Sequence, residues 1–194
     1  MEQLLIRIYL CGMFSGSKFN GDISSWDVSG VTDMSGMFKE SVFNQDISLW
    51  GVSSVKNMME MFSYSKFNQD ISRWNVGNVT DMYGMFSHSE FNGDISSWDV
   101  RRVTDMSCMF LKAKFSGDVS SWKTESLVFK TDIDKDCEQK LDISEWDLSK
   151  ISKKDKYEII VGIDDFYCRD DGYVNVHWYG IKGEWRSEER RVGK

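Results

Sequence analysis

The sequence predicts a repeat solenoid of 24-residue coils, each with one short parallel strand and one short helical turn, followed by a small β-rich C-terminal cap or module. Three observations predict it: a fixed period, two hydrophobic spacings within each unit, and the loss of the period after Ser152. Tryptophan recurs every 24 residues, at positions 26, 50, 74, 98, 122 and 146. A register kept over so many units is the signature of a repeat architecture.

The first half of each unit predicts a short strand. Ile23 lies between Asp22 and Ser24, so an apolar residue is flanked by polar ones. In a strand, this alternation directs the isoleucine inward and its two neighbours toward solvent.

The second half of each unit predicts a helical turn. Val31, Met34 and Met37 are spaced three residues apart, which is typical of one face of a short helix. We expect Thr32 to cap this helix and Asp33 to interact favourably with its dipole.

Stacking of identical rows is the expected source of stability, because a single coil cannot bury its own apolar residues. In the unit from 123 to 146, Lys130 and Asp134 replace the methionine and phenylalanine of earlier units. This degenerate coil is expected to end the stack. Residues 1–151 are therefore predicted to form the solenoid, with partial or degenerate coils at both ends.

The segment 152–185 predicts a separate module of two or three strands, with a hairpin at Asp170-Asp171-Gly172. Its aromatic spacing resembles a small barrel of the chromo or Tudor type, in which aromatic side chains cage a methylated lysine. A simple capping sheet is the interpretation that the sequence favours over this barrel. The resemblance implies a candidate cage of Tyr157, Trp178 and Trp185. Residues 186–194 are expected to form a disordered tail, and an origin outside the natural protein is a second interpretation of this segment.

Composition excludes several functional classes. The net charge is −7 and the pI is about 4.9, which does not favour a nucleic-acid partner. No apolar run reaches the roughly 20 residues of a membrane span. The four cysteines show neither CxxC spacing nor pairing with histidine, so no metal site, disulfide framework or cofactor is predicted.

The first residues, MEQLLIRIYLCGMF, are similar to a lipoprotein signal that ends at Cys11. Arg7 interrupts the apolar run, and Leu10 is larger than a cleavage site prefers. We therefore predict that the chain starts inside a repeat, as a fragment would.

Two polar rows are candidate sites. The first combines an aspartate and a serine from each unit as a possible ligand or cation face. Its residues are Asp22, Asp46, Asp70, Asp94, Asp118 and Asp142, with Ser24, Ser48, Ser72, Ser96, Ser120 and Ser144. The structural alternative is that each carboxylate accepts turn amides of its own or the adjacent coil. The second row contains Asn20, Asn44, Asn68 and Asn92, and predicts an internal amide ladder between coils.

Catalysis is not predicted. His88 and His177 occupy unrelated contexts, and neither has a Ser, Cys or Asp partner in register. His88 falls in the variable linker of its unit, where surface residues are expected.

The segment FNQDIS at 67–72 and the recurring W-x-V-x-x-V-T-D-M at 26–34 and 98–106 resemble the BspA-like leucine-rich-repeat surface proteins, including mycoplasma-type surface lipoprotein repeats. The resemblance implies a leucine-rich-repeat-like solenoid that acts in adhesion or host interaction by binding a protein or cell-surface ligand. It also implies a surface or secreted location, although no export signal is recognised. The alternative is an intracellular adaptor whose C-terminal module binds a modified peptide. The oligomeric state is not predicted.

Overall fold

The computed structural model describes residues 10–152, together with the backbone of three strands, which are β1 (Tyr167–Cys168), β2 (Tyr173–Tyr179) and β3 (Trp185–Arg191). The chain divides into two compact units, Met1–Ile151 and Ser152–Lys194. No helix in the described residues could span a membrane.

The described part of the first unit is a stack of 24-residue layers. We number the complete layers 1 to 5; they comprise residues 19–42, 43–66, 67–90, 91–114 and 115–138, with partial layers at 10–18 and 139–152. Residues one period apart form parallel bridges, from Asp33 to Asn57 and onward through Asp81 and Asp105 to Phe129. Each 24-residue repeat of the sequence therefore forms one layer.

The predicted coil of one strand and one helical turn is wrong, and with it the leucine-rich-repeat-like fold class. Residues 10–152 contain no helix and no strand beyond the isolated bridges. Each layer is instead a succession of β-turns. In layer 1, the N–H of Trp26 donates to the Ile23 carbonyl at 3.1 Å, and the N–H of Met37 donates to the Met34 carbonyl at 3.2 Å. The first of these turns replaces the predicted strand.

The backbone conformation explains why no helix forms. Gly36 and Glu40 have φ angles of 58° and 57°, which belong to the left-handed region and interrupt a right-handed helix. A β-turn accepts such a residue at its third position. Turns that follow one another also place apolar residues three positions apart, so the spacing of Val31, Met34 and Met37 matches both structures.

Hydrogen bonds between layers use the groups that a helix would bond internally. The N–H of Met34 donates to the Asn57 carbonyl at 2.9 Å, and the N–H of Phe38 donates to the Met61 carbonyl at 2.9 Å. The carbonyl in each case lies 23 residues further along the chain. The backbone is therefore satisfied partly by turns within a layer and partly by the adjacent layer.

The helix-capping roles predicted for the Thr-Asp pair are wrong, because there is no helix to cap. The Asp33 carboxylate accepts the Ser35 N–H at 2.8 Å and closes a turn. The threonine has a different role. In layer 3, the Thr80 hydroxyl donates to the Lys56 carbonyl of layer 2 at 3.1 Å and links the two layers.

The core consists of columns of identical side chains. Phe38 and Phe62 stack with ring centroids 5.6 Å apart, and Phe38 also stacks on Phe43, the first residue of layer 2, at 4.2 Å. The methionines of the repeat are fully buried from Met34 onward. Trp50 is 4% exposed, and its indole N–H donates to the Ile23 carbonyl of the previous layer at 3.1 Å. The same indole bond recurs at Trp74, Trp98, Trp122 and Trp146.

Two of these columns end in layer 5, where Lys130 follows Met106 and Asp134 follows Phe110. The Asp134 carboxylate accepts the Leu141 N–H at 3.1 Å and lies 3.4 Å from the Lys140 ammonium. The tryptophan column continues further, because Trp146 stacks on Trp122 at 5.8 Å. Polar contacts thus replace stacking in the phenylalanine column, while stacking in the tryptophan column continues for one more repeat.

The described strands of the second unit form an antiparallel sheet of order β1-β2-β3. Tyr167 pairs with Asn175, and Tyr179 pairs with Trp185. The predicted hairpin at 170–172 lies between β1 and β2, outside the described residues.

Candidate partner-binding surface

The aspartate row lies on the surface, and each carboxylate closes a turn in its own layer. Asp22 Oδ1 accepts the Ser24 N–H at 2.8 Å. The same bond, 2.8 to 3.0 Å long, occurs at Asp46, Asp70, Asp94, Asp118 and Asp142. This is the structural alternative that the sequence left open, and it accounts for one oxygen of every carboxylate.

These hydrogen bonds also set the charge of the row. The serine backbone N–H and then the serine side chain lower the pKa of Asp22 below its ordinary value. At Asp46 the same two causes dominate, while the charges of Asp70 and Asp22 act in the opposite direction. The row is therefore ionised at neutral pH. Its use as a ligand or cation face stays a prediction. In the part of the chain with described side chains, no three acidic, histidine or cysteine groups converge as metal ligands.

The asparagine row links layers, but through the backbone and at the surface. Asn44 Oδ1 accepts the Asn68 N–H at 2.8 Å, and Asn68 Oδ1 accepts the Asn92 N–H at 2.8 Å. Asn68 and Asn92 are exposed. The predicted ladder between coils is present, whereas its predicted internal position is wrong.

Two further columns contain every residue with a positive φ angle in the described layers. The inner left-handed column contains Gly12, Gly36, Glu60, Gly84, Cys108 and Asp132. The outer left-handed column contains Gly16, Glu40, Tyr64, His88, Lys112 and Asp136.

The two left-handed columns differ in exposure and composition. Inner residues are buried or half-buried, and three of the six are glycine. Outer residues are exposed except for His88, which is half-buried, and only one of the six is glycine. A residue with a Cβ atom in this conformation costs about 1 to 2 kcal/mol. The outer column thus carries side chains that destabilise the fold slightly and that face solvent.

A stacked aromatic pair forms the middle of the outer column. The rings of Tyr64 and His88 lie with centroids 4.1 Å apart and an interplanar angle of 10°. His88 Nε2 is 3.3 Å from the Tyr64 hydroxyl, and His88 Nδ1 is 2.9 Å from the Ser87 hydroxyl. Partial burial, and then the nearby Lys112 charge, lower the pKa of His88 below its ordinary value. The imidazole is therefore mostly neutral at pH 7.

Three lysines lie next to this pair in the repeat: Lys112 is the following residue of the outer column, and Lys66 and Lys114 each come two residues after an outer-column residue. Lys66 forms an ion pair with Glu90, and the Lys114 ammonium lies 3.9 Å from the same carboxylate. The hydrogen bond from Lys66 is the main cause that lowers the pKa of Glu90. The Lys112 side chain is exposed and forms no ion pair within the described layers. We call Tyr64, Lys66, His88, Glu90, Lys112 and Lys114 the central patch; it carries three ammonium groups and one carboxylate.

Sequence reasoning missed Tyr64 and Lys112 and placed His88 only in a variable linker. A signal was present in the repeat itself. When the units are aligned, the position of residue 16 is occupied by a different residue type in each of the six units.

The family model for "Mycoplasma protein of unknown function, DUF285" matches residues 8–90 and 63–159. The chain belongs to the DUF285 family. The predicted resemblance to mycoplasma-type, BspA-like repeats is thereby confirmed at the level of the family, whose function is unknown. No curated protein and no solved structure matches the chain.

The predicted aromatic cage lies outside the layered part of this DUF285 chain. Tyr157 is not among the described residues. Trp178 lies in β2 opposite Arg186, and Trp185 lies in β3 opposite Tyr179. The cage stays a prediction.

A polar cleft of about 510 Å³ lies in layer 5 of the DUF285 chain, where the columns end. Asp132 and Asp134 line it and form ion pairs with Lys135 and Lys140. Two of its carboxylates are thus paired with lysines, and the cleft lies where the columns of identical side chains end.

Proposed function

We propose that this DUF285 protein is a non-catalytic binding module that recognises a protein or cell-surface ligand through exposed side chains of its layers. One observation carries the proposal. The outer left-handed column has a positive φ angle at each repeat, a different residue type each time, and is exposed at all positions except the half-buried His88.

The other repeated polar rows support this choice of surface. The aspartate and asparagine rows use their side-chain oxygens to close turns and to join layers. Their repetition therefore has a structural cause. The outer column has no such cause for its residue types, and exposed positions of this kind are where binding specificity is commonly placed.

A surface or secreted location is part of the proposal. It is supported by the resemblance of the W-x-V-x-x-V-T-D-M repeats to BspA-like surface proteins, and by an acidic net charge of −7, which favours solubility. Brief trypsin treatment of intact source cells, followed by immunoblotting, tests this part. We expect loss of the protein while a cytoplasmic marker stays intact. Protection equal to that of the marker would contradict a surface location.

Binding of the purified chain to intact cells tests the function. We expect a saturable isotherm for the fluorescently labelled chain, with competition by unlabelled chain. Pretreating the cells with trypsin should abolish binding if the ligand is a protein. An unrelated acidic protein of similar size is the control. Binding that does not saturate, or that the unrelated protein matches, would contradict the proposal.

A further inference from the structure

We infer that the central patch binds a short acidic peptide segment of the partner, which places an apolar or aromatic side chain on the Tyr64–His88 pair and a carboxylate near Lys112 and Lys114. This inference rests on the proposed function, and it names the ligand chemistry of that surface.

The first step concerns the choice of residues. Tyr64, His88 and Lys112 have φ angles of 54°, 55° and 52°, where glycine would be accommodated without strain. The same chain uses glycine at half of the inner column, so glycine is compatible with this type of turn. Side chains kept in a strained conformation at positions that are exposed, as at Tyr64 and Lys112, or half-buried, as at His88, indicate a role other than folding.

The second step concerns shape. The Tyr64 ring is stacked on His88, and Tyr64 is 52% exposed, so the pair presents aromatic surface and a hydroxyl group to solvent. The hydrogen bonds of His88 to Tyr64 and Ser87 hold both rings in place. A rigid tyrosine contributes contact area at low entropic cost, which is why tyrosine is enriched at binding hot spots.

The third step concerns charge. The chain carries a net charge of −7, yet the central patch has an excess of cations, and Lys112 has no carboxylate partner in the layered part. An acidic ligand complements this patch and fits no other part of the outer column, because Glu40 and Asp136 flank it.

The fourth step concerns length. The patch spans layers 2 to 4, and two layer steps of about 4.8 Å correspond to about three residues of an extended peptide. The apolar and acidic side chains of the ligand should therefore lie within about three residues of each other. Nucleic-acid binding usually involves about six or more phosphate contacts, which three lysines cannot supply.

The experiment uses the full chain as bait for a displayed library of random peptides, each about twelve residues long, so that every peptide exceeds the length of the patch. We expect enriched peptides to contain Asp or Glu within three residues of an aromatic or aliphatic residue. Dissociation constants of the synthesised peptides are then measured by fluorescence polarisation.

Variants connect the peptides to the patch. Tyr64→Gly with His88→Gly should raise Kd about tenfold or more. Lys112→Gln with Lys114→Gln should raise Kd less and weaken its dependence on salt. Glu60→Gly is the matched control, because it removes a positive-φ side chain from layer 2 in the inner column; it should leave Kd unchanged. Circular dichroism and thermal melting establish that each variant is folded.

Three results would overturn the inference: enriched peptides that lack acidic residues, affinity that survives the Tyr64→Gly/His88→Gly substitution, or preferential binding of glycans or DNA at the patch. If the double variant still binds cells saturably, the patch is the wrong surface while the proposed function stands. If the wild type shows no saturable cell binding, the proposed function itself fails.

Discussion

The tryptophan column and the outer left-handed column both cross layers 1 to 5. Residue type is constant in the first column and varies in the second. The first has the same residue in all six units, and the second has six different residues. Each indole from Trp50 onward is buried and bonds to the layer before it. The residues of the outer column are exposed apart from the half-buried His88, so close packing against neighbouring layers does not fix their identity.

The backbone does not cause this difference. At the outer column, the N–H of Tyr64 donates to the Ser87 carbonyl at 2.7 Å, and the N–H of His88 donates to the Leu111 carbonyl at 2.7 Å. These bonds are as regular as those of the core. The comparison teaches that burial of a side chain between adjacent layers, rather than the conformation of the chain, restricts residue type in this stack.

The largest expected effect is at the centre of the tryptophan column. Trp74→Ala should lower the free energy of unfolding by about 3 to 5 kcal/mol, because it removes a buried ring and leaves the Ile47 carbonyl without its indole donor. Urea denaturation measures this loss.

Trp26→Ala is the matched control for that substitution. Trp26 heads the column, is only partly buried, and has no indole acceptor in the described layers. We expect a clearly smaller loss. Equal losses at both positions, or a loss under about 1 kcal/mol at Trp74, would mean that stacking does not stabilise the column.

The asparagine row should show an intermediate effect. Asn68→Ala removes the acceptor of the Asn92 N–H and should lower the free energy of unfolding by about 1 kcal/mol. Asn68→Asp retains an oxygen at this place and should cost less. Similar losses in the two variants would show that this hydrogen bond does not stabilise the stack.

The aspartate row should make stability depend on pH in the acid range. Its pKa values are lower in the folded chain than in the unfolded chain, so its stabilising contribution is present above about pH 4 and is lost as the pH falls through the folded values. Urea midpoints measured between pH 7 and pH 3 should therefore fall. Asp70→Asn should reduce the steepness of this fall, and an unchanged profile would contradict the assigned hydrogen bond.

The smallest effect is expected in the outer column and has the opposite sign. Lys112→Gly should raise the free energy of unfolding by about 0.5 kcal/mol, because relief of the positive φ angle exceeds the entropic cost of glycine. Lys112→Ala retains the Cβ atom and should leave stability unchanged. A destabilised glycine variant would show that the lysine supports the fold.

Much of the layered unit could be predicted from the period. The stacking of identical rows follows from the recurrence of Trp26, Met34 and Phe38, since residues of one type at a fixed spacing can bury only against each other. The end of the stack was also visible, because Lys130 and Asp134 replace apolar residues. The turn-closing role of the aspartates was one of two alternatives that the sequence left open.

The conformation within a layer could not be predicted in the same way. Apolar residues at Val31, Met34 and Met37 are spaced as on a helix, and hydrophobic spacing alone does not separate a helix from consecutive turns. Gly36 and Gly84 were the available hints, because glycine is unfavourable inside a helix. Glu60 and Cys108, at the same position in other layers, gave no such hint.

The sequence by itself determined the period, the composition of the buried columns and the family of the chain, because all three depend on which residues recur. Only the tertiary structure decided the backbone conformation and the surface. A left-handed φ angle at Tyr64 or His88 is stable because hydrogen bonds to the next layer maintain it. The pairing of these two rings exists only once the layers that contain them, 24 residues apart in the chain, have stacked.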